Sequence, residues 1–215
     1  HMAQMVFQKI LEEGTKKGNL PRESRQATRW FQQKARRTRS TPRQVWVEKE
    51  RHKHYSLRRR LLGNMYYFFY EAEGKDNLPY WDAFPLVIPI ELTKDGFLGI
   101  NFHYLDWRLR AIFMDRLLDL VRETPDRADR SEQSQEGKLD WRKISYSRLS
   151  RFAKYKYFRP CLKQYKFSNM RSRMIQLSKE EWDIALFLPI ERFQNSRKTE
   201  IWMNSRQQVM RQGGK

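Results

Sequence analysis

Apolar residues recur at helical spacing over 5–13, where Val6, Phe7, Ile10 and Leu11 share a face and Gly14 stops the run. Asn19-Leu20-Pro21 opens a second helix, with Pro21 suited to its first turn. Ala27, Trp30, Phe31 and Ala35 form its apolar stripe, while Arg22, Arg25, Arg29, Lys34, Arg36, Arg37 and Arg39 fill much of the remainder. Ser40-Thr41-Pro42 breaks it, and a third helical stretch is expected from Gln44 to Leu62, ending in Arg58-Arg59-Arg60.

The period then changes. Met65 to Tyr70 is an unbroken aromatic run of the kind a buried strand carries, and Leu86 to Leu92 reads as a second strand. Asp95-Gly96 is a hairpin signal that returns the chain through a strand over 97–104. From Trp107 to Val121, Leu109, Ile112, Phe113, Leu117 and Leu120 lie on one face of an amphipathic helix. Arg122 to Gly137 is polar and reads as a loop or linker. Beyond the basic stretch that follows, a further strand is expected within 183–192, before a polar tail from Asn195. Leu86-Val-Ile-Pro-Ile-Glu91 and Leu186-Phe-Leu-Pro-Ile-Glu191 echo each other, as sister strands of one sheet or by chance.

These elements predict an α+β fold: a small, mostly antiparallel sheet, barrel-like if it closes, with a packed helix and basic helical extensions. The division expected is 1–62 for a basic N-terminal extension and 63–121 for the core. A polar linker takes 122–137, a basic aromatic segment 138–173, and a returning strand with its tail 174–215.

Charge sharpens that division. The chain of 215 residues carries a net charge of +19. Residues 1–60 contribute +12, residues 61–120 contribute −4, and residues 121–215 contribute +11. Solubility alone asks for a magnitude of only about 2–8 in a small domain. The surplus repels itself unless a polyanion neutralises it, and one polyanion touching both ends is the simplest partner. No apolar run approaches a membrane span, and neither a signal peptide nor membrane contact is expected. Cys161 is the one cysteine, so an intrachain disulfide and a cysteine-based zinc site are excluded, and a reducing compartment is expected.

The stretch 138–173 holds 12 Lys/Arg against the single acid Asp140. The candidate DNA-binding residues there are Arg142, Lys143, Arg148, Arg151, Lys154, Lys156, Arg159, Lys163, Lys166, Arg171 and Arg173. At the other end of the chain they are Arg29, Lys34, Arg36, Arg37, Arg39, Arg58, Arg59 and Arg60. Cations in such numbers neutralise phosphates and release counterions. Trp141, Tyr155, Tyr157 and Phe158 are the candidates for stacking on exposed bases, although for any one of them core packing is the favoured reading. No zinc-finger spacing, RNA-recognition signature or helix-turn-helix is found, so recognition of backbone and shape is expected.

Catalytic signals are weak. Asp76, Asp82, Glu91, Asp95 and Asp106 are the carboxylates a metal-dependent nuclease would gather, yet nothing in their spacing requires it. His52 and His54 point apart on a helix, and His103, beside Asp106 in sequence, has no adjacent nucleophile. No catalytic residue, metal ligand or cofactor is expected.

Four stretches carry a resemblance. They are Gly63-Asn-Met-Tyr-Tyr-Phe-Phe-Tyr70, Asp76-Asn-Leu-Pro-Tyr-Trp-Asp82-Ala-Phe-Pro-Leu86, Asp95-Gly-Phe-Leu-Gly-Ile-Asn-Phe-His-Tyr104 and Glu181-Trp-Asp-Ile-Ala-Leu-Phe-Leu-Pro-Ile-Glu-Arg-Phe193. Together they resemble tailed-bacteriophage virion proteins of the myovirus type, the DNA end protectors. The resemblance implies a protein that sits on the termini of packaged double-stranded DNA and shields them from host exonucleases without chemistry of its own. It implies a place in the virion and then in the host cytoplasm. It assigns no individual DNA contact, because the shared motifs are core motifs. A structural head, neck or baseplate component docking its basic arms on acidic virion partners is the alternative, and a nuclease is the second.

Overall fold

The computed structural model describes residues 60–122 and 159–213, together with Lys9, Glu12, Arg29 and Gln33, which are helical and exposed. The other positions of the expected N-terminal helices, and the 123–158 stretch, lie outside the described residues.

The strands are β1 (Met65–Tyr67), β2 (Trp81–Asp82), β3 (Leu86–Leu92), β4 (Gly96–Asn101), β5 (Leu162–Lys166), β6 (Ile175–Leu177) and β7 (Phe193–Gln194). The helices are α1 (Trp107–Arg122), α2 (Lys179–Phe187) and α3 (Lys198–Gly213). Five strands form one antiparallel sheet in the order β5-β4-β3-β1-β6, and β2 pairs with β7. The α+β class is as expected. Among the described residues the sheet does not close into a barrel: β5 and β6 are its two edges.

The aromatic run at β1 is explained by a sheet buried on both faces. Successive side chains point to opposite sides. Met65, Tyr67 and Phe69 join the main core with Leu86, Ile88, Ile100 and the helices. Tyr66, Phe68 and Tyr70 join a second cluster with Val87, Phe97, Tyr165 and Met170. Each such side chain, fully buried, contributes about 1.5–3 kcal/mol. The strand itself is shorter than the aromatic run. After Tyr67 the backbone leaves the ladder, the Phe69 amide donating to Ser172 Oγ at 2.8 Å and the Tyr70 amide to the Ala83 carbonyl at 3.0 Å.

The hairpin at Asp95-Gly96 forms as expected, with the Thr93 amide bonded to the Gly96 carbonyl at 3.0 Å. The returning strand stops at Asn101, whose side chain accepts from the His103 amide and starts a 3-10 turn over Phe102–Tyr104. Asp106 then caps α1, accepting from the Leu109 amide at 3.0 Å, and α1 buries Ala111, Phe113, Met114 and Leu117.

The expected strand over 183–192 is instead helical in its first half. Ser178 and Glu181 have capping-box spacing, and the Ser178 amide donates to Glu181 Oε1 at 3.1 Å, which starts α2. Pro189 comes just past the helix end, where a residue without an N–H cannot continue it. Leu188 and Ile190 are nonetheless buried in the core. The two Pro-Ile-Glu echoes are therefore not sister strands: the first lies in β3, and the second spans the end of α2 and the irregular stretch after it.

Arg110 of α1 locks the helices together. Fully buried, it donates to the carbonyls of Leu105 at 2.7 Å and Leu186 at 2.9 Å, and lies 3.5 Å from the Glu191 carboxylate. Lys198 of α3 binds the other Glu191 oxygen at 3.1 Å, and the Trp202 indole donates to the His103 carbonyl at 2.8 Å. Burial pushes Glu191 up and its neighbours Arg110, His103 and Lys198 pull it down, leaving the carboxyl below its ordinary value.

Candidate nucleic-acid interface

Of the basic residues singled out from sequence, Arg29, Arg60, Arg159, Lys163, Lys166, Arg171 and Arg173 are described. Lys34, Arg36, Arg37, Arg39, Arg58, Arg59, Arg142, Lys143, Arg148, Arg151, Lys154 and Lys156 lie outside the described residues, as do Trp141, Tyr155, Tyr157, Phe158, His52 and His54.

The described cations sit in different environments. Arg60, Arg159 and Arg173 are exposed. Arg171 is held by Glu71 at 2.8 Å, and Lys166 by Glu73 at 2.5 Å with Asp95 at 3.8 Å. The hydrogen bond to Glu73 raises the Lys166 pKa above its ordinary value. Lys163 differs. Its Nζ stands 4.1 Å from the centroid of the Tyr104 ring, and no carboxylate among the described residues pairs with it. Burial pulls its pKa below the ordinary lysine value.

Lys163 and Lys166 are carried by β5, the edge strand, where their charges mask a strand whose Tyr165 is core. They open onto a cleft of about 280 Å³ between β5 and the loop before β2. Its aromatic walls are Tyr70, Tyr80, Trp81, Tyr104 and Tyr165. Tyr80 and Tyr104 have ring centroids 6.1 Å apart at 40°, and Tyr70 meets Tyr165 edge-on at 5.0 Å.

Behind the cleft is a polar network. Asp82 Oδ2 lies 2.7 Å from His103 Nδ1 and accepts from Asn101 Nδ2 at 3.1 Å; the same amide donates to the Tyr165 hydroxyl at 3.0 Å. Asp82 Oδ1 accepts from the amides of Phe84 at 3.0 Å and Arg192 at 3.2 Å. Burial acts to raise Asp82, but His103, Asn101 and the Phe84 amide outweigh it and hold the carboxyl below its ordinary value. His103, three residues before Asp106 in sequence, thus pairs with Asp82, while Asp106 is bound by Arg206 at 2.8 Å. His103 Nε2 is buried with no hydrogen-bond partner.

The five carboxylates weighed as metal ligands do not gather. Asp76, Glu91 and Asp95 are exposed, Asp106 caps α1, and Asp82 is committed to the network. Among the described residues, no three His, Cys, Asp or Glu side chains could share a metal ion. No described helix is long and apolar enough to cross a membrane.

Sequence reading missed Tyr80, Trp81 and Tyr104 as a set. The signal was the Leu78-Pro-Tyr-Trp-Asp82 stretch, whose adjacent aromatics are bracketed by the turn residues Pro79 and Asp82 instead of following a strand or helix period.

Among curated proteins and among solved structures, nothing matches the chain. A family model for the phage T4 terminal DNA protecting protein matches residues 8–211. That span takes in the sheet, α1, α2 and both basic segments, and the chain belongs to the phage T4 terminal DNA protecting protein family.

Proposed function

We propose that this protein binds the ends of double-stranded phage DNA without reading their sequence, and shields them from exonucleases in the virion and in the host cytoplasm. The observation that carries this reading is the charge map. Segments of +12 and +11 flank a core of −4, in a chain of the terminal DNA protecting family. Phosphate contacts position a protein on DNA and carry no sequence information, which suits an end of arbitrary sequence. Lys/Arg of 22–60 and 138–173 clamp phosphates, and aromatics among Trp141, Tyr155, Tyr157 and Phe158 cap the terminal pair.

Binding to one duplex, linear or covalently closed, tests the reading over a salt series with and without magnesium. If about 6–10 phosphates are contacted, affinity drops by about 10³–10⁵ between roughly 50 and 200 mM salt. The linear form is bound more tightly and stays intact. Equal affinity for both forms removes end recognition; absence of binding at moderate salt favours docking on acidic virion proteins instead. Magnesium-dependent cleavage makes the protein a nuclease.

A further inference from the structure

The Lys163 ammonium sits in an aromatic cleft, and among the described residues no carboxylate pairs with it. Desolvating a cation without an anionic partner is costly, and proteins rarely retain one unless something completes it. Glu73 also borders the cleft but is committed to Lys166. The Asp82 oxygens are occupied by Asn101, His103 and two backbone amides. The unmet charge is therefore positive, and its partner is an anion.

The walls define the rest of that partner. Tyr80 and Trp81 are half-buried, leaving ring surface free, and Tyr104 lies at the back beneath Lys163. At about 280 Å³ the space falls near the lower limit of small-molecule sites, roughly 300–1,000 Å³, which suits one planar ring with its anion and not a base pair. Strand β5, which carries one side of the rim, is tightly packed on β4: Gly96 lies so close to it that a Cβ would stand 1.7 Å from the Tyr165 carbonyl oxygen.

We infer that this cleft takes a single unpaired nucleotide at the DNA terminus, its base against Tyr80 and Trp81 and its phosphate on Lys163. The inference rests on the end-binding reading and deepens it: the outermost pair is opened, its last nucleotide is parked in the cleft, and the pair beneath it becomes the terminal pair that the aromatics of 141–158 cap. Unpairing is least costly at an end, and base-aromatic stacking is indifferent to sequence. An exonuclease that must grip the terminal nucleotide then finds it occupied.

Photocrosslinking with the full chain tests this. A linear duplex carries 5-iodo-deoxyuridine either at its terminal position or in its middle, and crosslinks are mapped by mass spectrometry. The terminal probe is expected to couple to Tyr80, Trp81 or Tyr104, and the central probe to none of them. Lys163→Gln is expected to weaken end binding about tenfold, the size of a lost charged hydrogen bond, with the circular dichroism melt unchanged. Terminal crosslinks that map elsewhere while the linear duplex stays bound overturn the cleft and leave end binding standing; the wild-type chain suffices for that result. Loss of all preference for linear over closed DNA overturns both.

Discussion

The Asp82 carboxylate and the His103 ring, 2.7 Å apart and both buried, join β2 to the 3-10 turn after β4 and close the floor of the aromatic cleft. Turning the carboxylate into an amide puts an NH₂ donor where the His103 ring and the Asn101 amide, or the Phe84 and Arg192 amides, now find an acceptor. Asp82→Asn is expected to cost about 1–3 kcal/mol in chemical denaturation, the range for a buried polar group left without its hydrogen bond. An unchanged denaturation midpoint would show that the pair does not hold the floor.

The same carboxylate sets an acid limit. Asp82 and Glu191 both have folded pKa values below their ordinary ones, despite burial acting to raise them. Their contribution is therefore complete above the unfolded values of about 4 and is lost as pH falls through the depressed folded values. Melting temperature followed by circular dichroism is expected to hold steady down to about pH 5 and to drop below about pH 4. Asp82→Asn should flatten that drop.

Arg110 offers a test of the helix clamp. Arg110→Met leaves Glu191 facing the core with only Lys198 to balance it, and a loss of about 3–5 kcal/mol is expected. Adding Glu191→Gln should recover part of the loss, so a double-mutant cycle in urea yields a clear coupling energy. Strict additivity would contradict the contact.

Two glycines separate crowding from backbone strain. A Cβ at Gly96 meets the Tyr165 carbonyl, so Gly96→Ala should part β4 from β5 and lower both stability and end affinity. Gly74 has φ +66° but open space around it, and Gly74→Ala should cost only about 1–2 kcal/mol with end affinity intact. Equal effects on DNA binding would disconnect the β5 edge from the interface.

Cations of the two basic segments are testable singly. Arg36→Gln or Arg148→Gln is expected to weaken binding alike for all sequences and to reduce the salt slope by about one. By contrast, Arg171→Gln breaks an exposed, solvent-screened pair with Glu71 and should leave the denaturation midpoint essentially where it is.

How far the sequence discloses this fold depends on whether neighbouring residues or distant ones decide each element. The α1 helix and the Asp95-Gly96 hairpin are local patterns, and both form; of the face read for α1, Phe113 and Leu117 are buried and Leu109 and Ile112 half-buried, with Ala111 and Met114 joining them in the core. The aromatic run at 65–70 marks a buried strand, but its end is set by Ser172 and Ala83, far away in sequence, which take its amides. The strand expected over 183–192 fails because the apolar run there resembles β3, while the cap that decides for helix, Ser178 with Glu181, lies upstream of it. Lys163 and Lys166 are visible from sequence as cations. What distinguishes them is the carboxylate each meets or lacks, a property of the packing between β5 and the loop carrying Glu73.

The most direct measurement is a digestion of linear duplex DNA, at a protein concentration just sufficient to occupy its ends, by an exonuclease that enters from the terminus and in parallel by an endonuclease. End protection predicts that the exonuclease stalls while the endonuclease cuts at its unprotected rate. Exonuclease digestion at full speed would contradict the account, and so would equal shielding from both enzymes, which would mean that the protein coats DNA along its length.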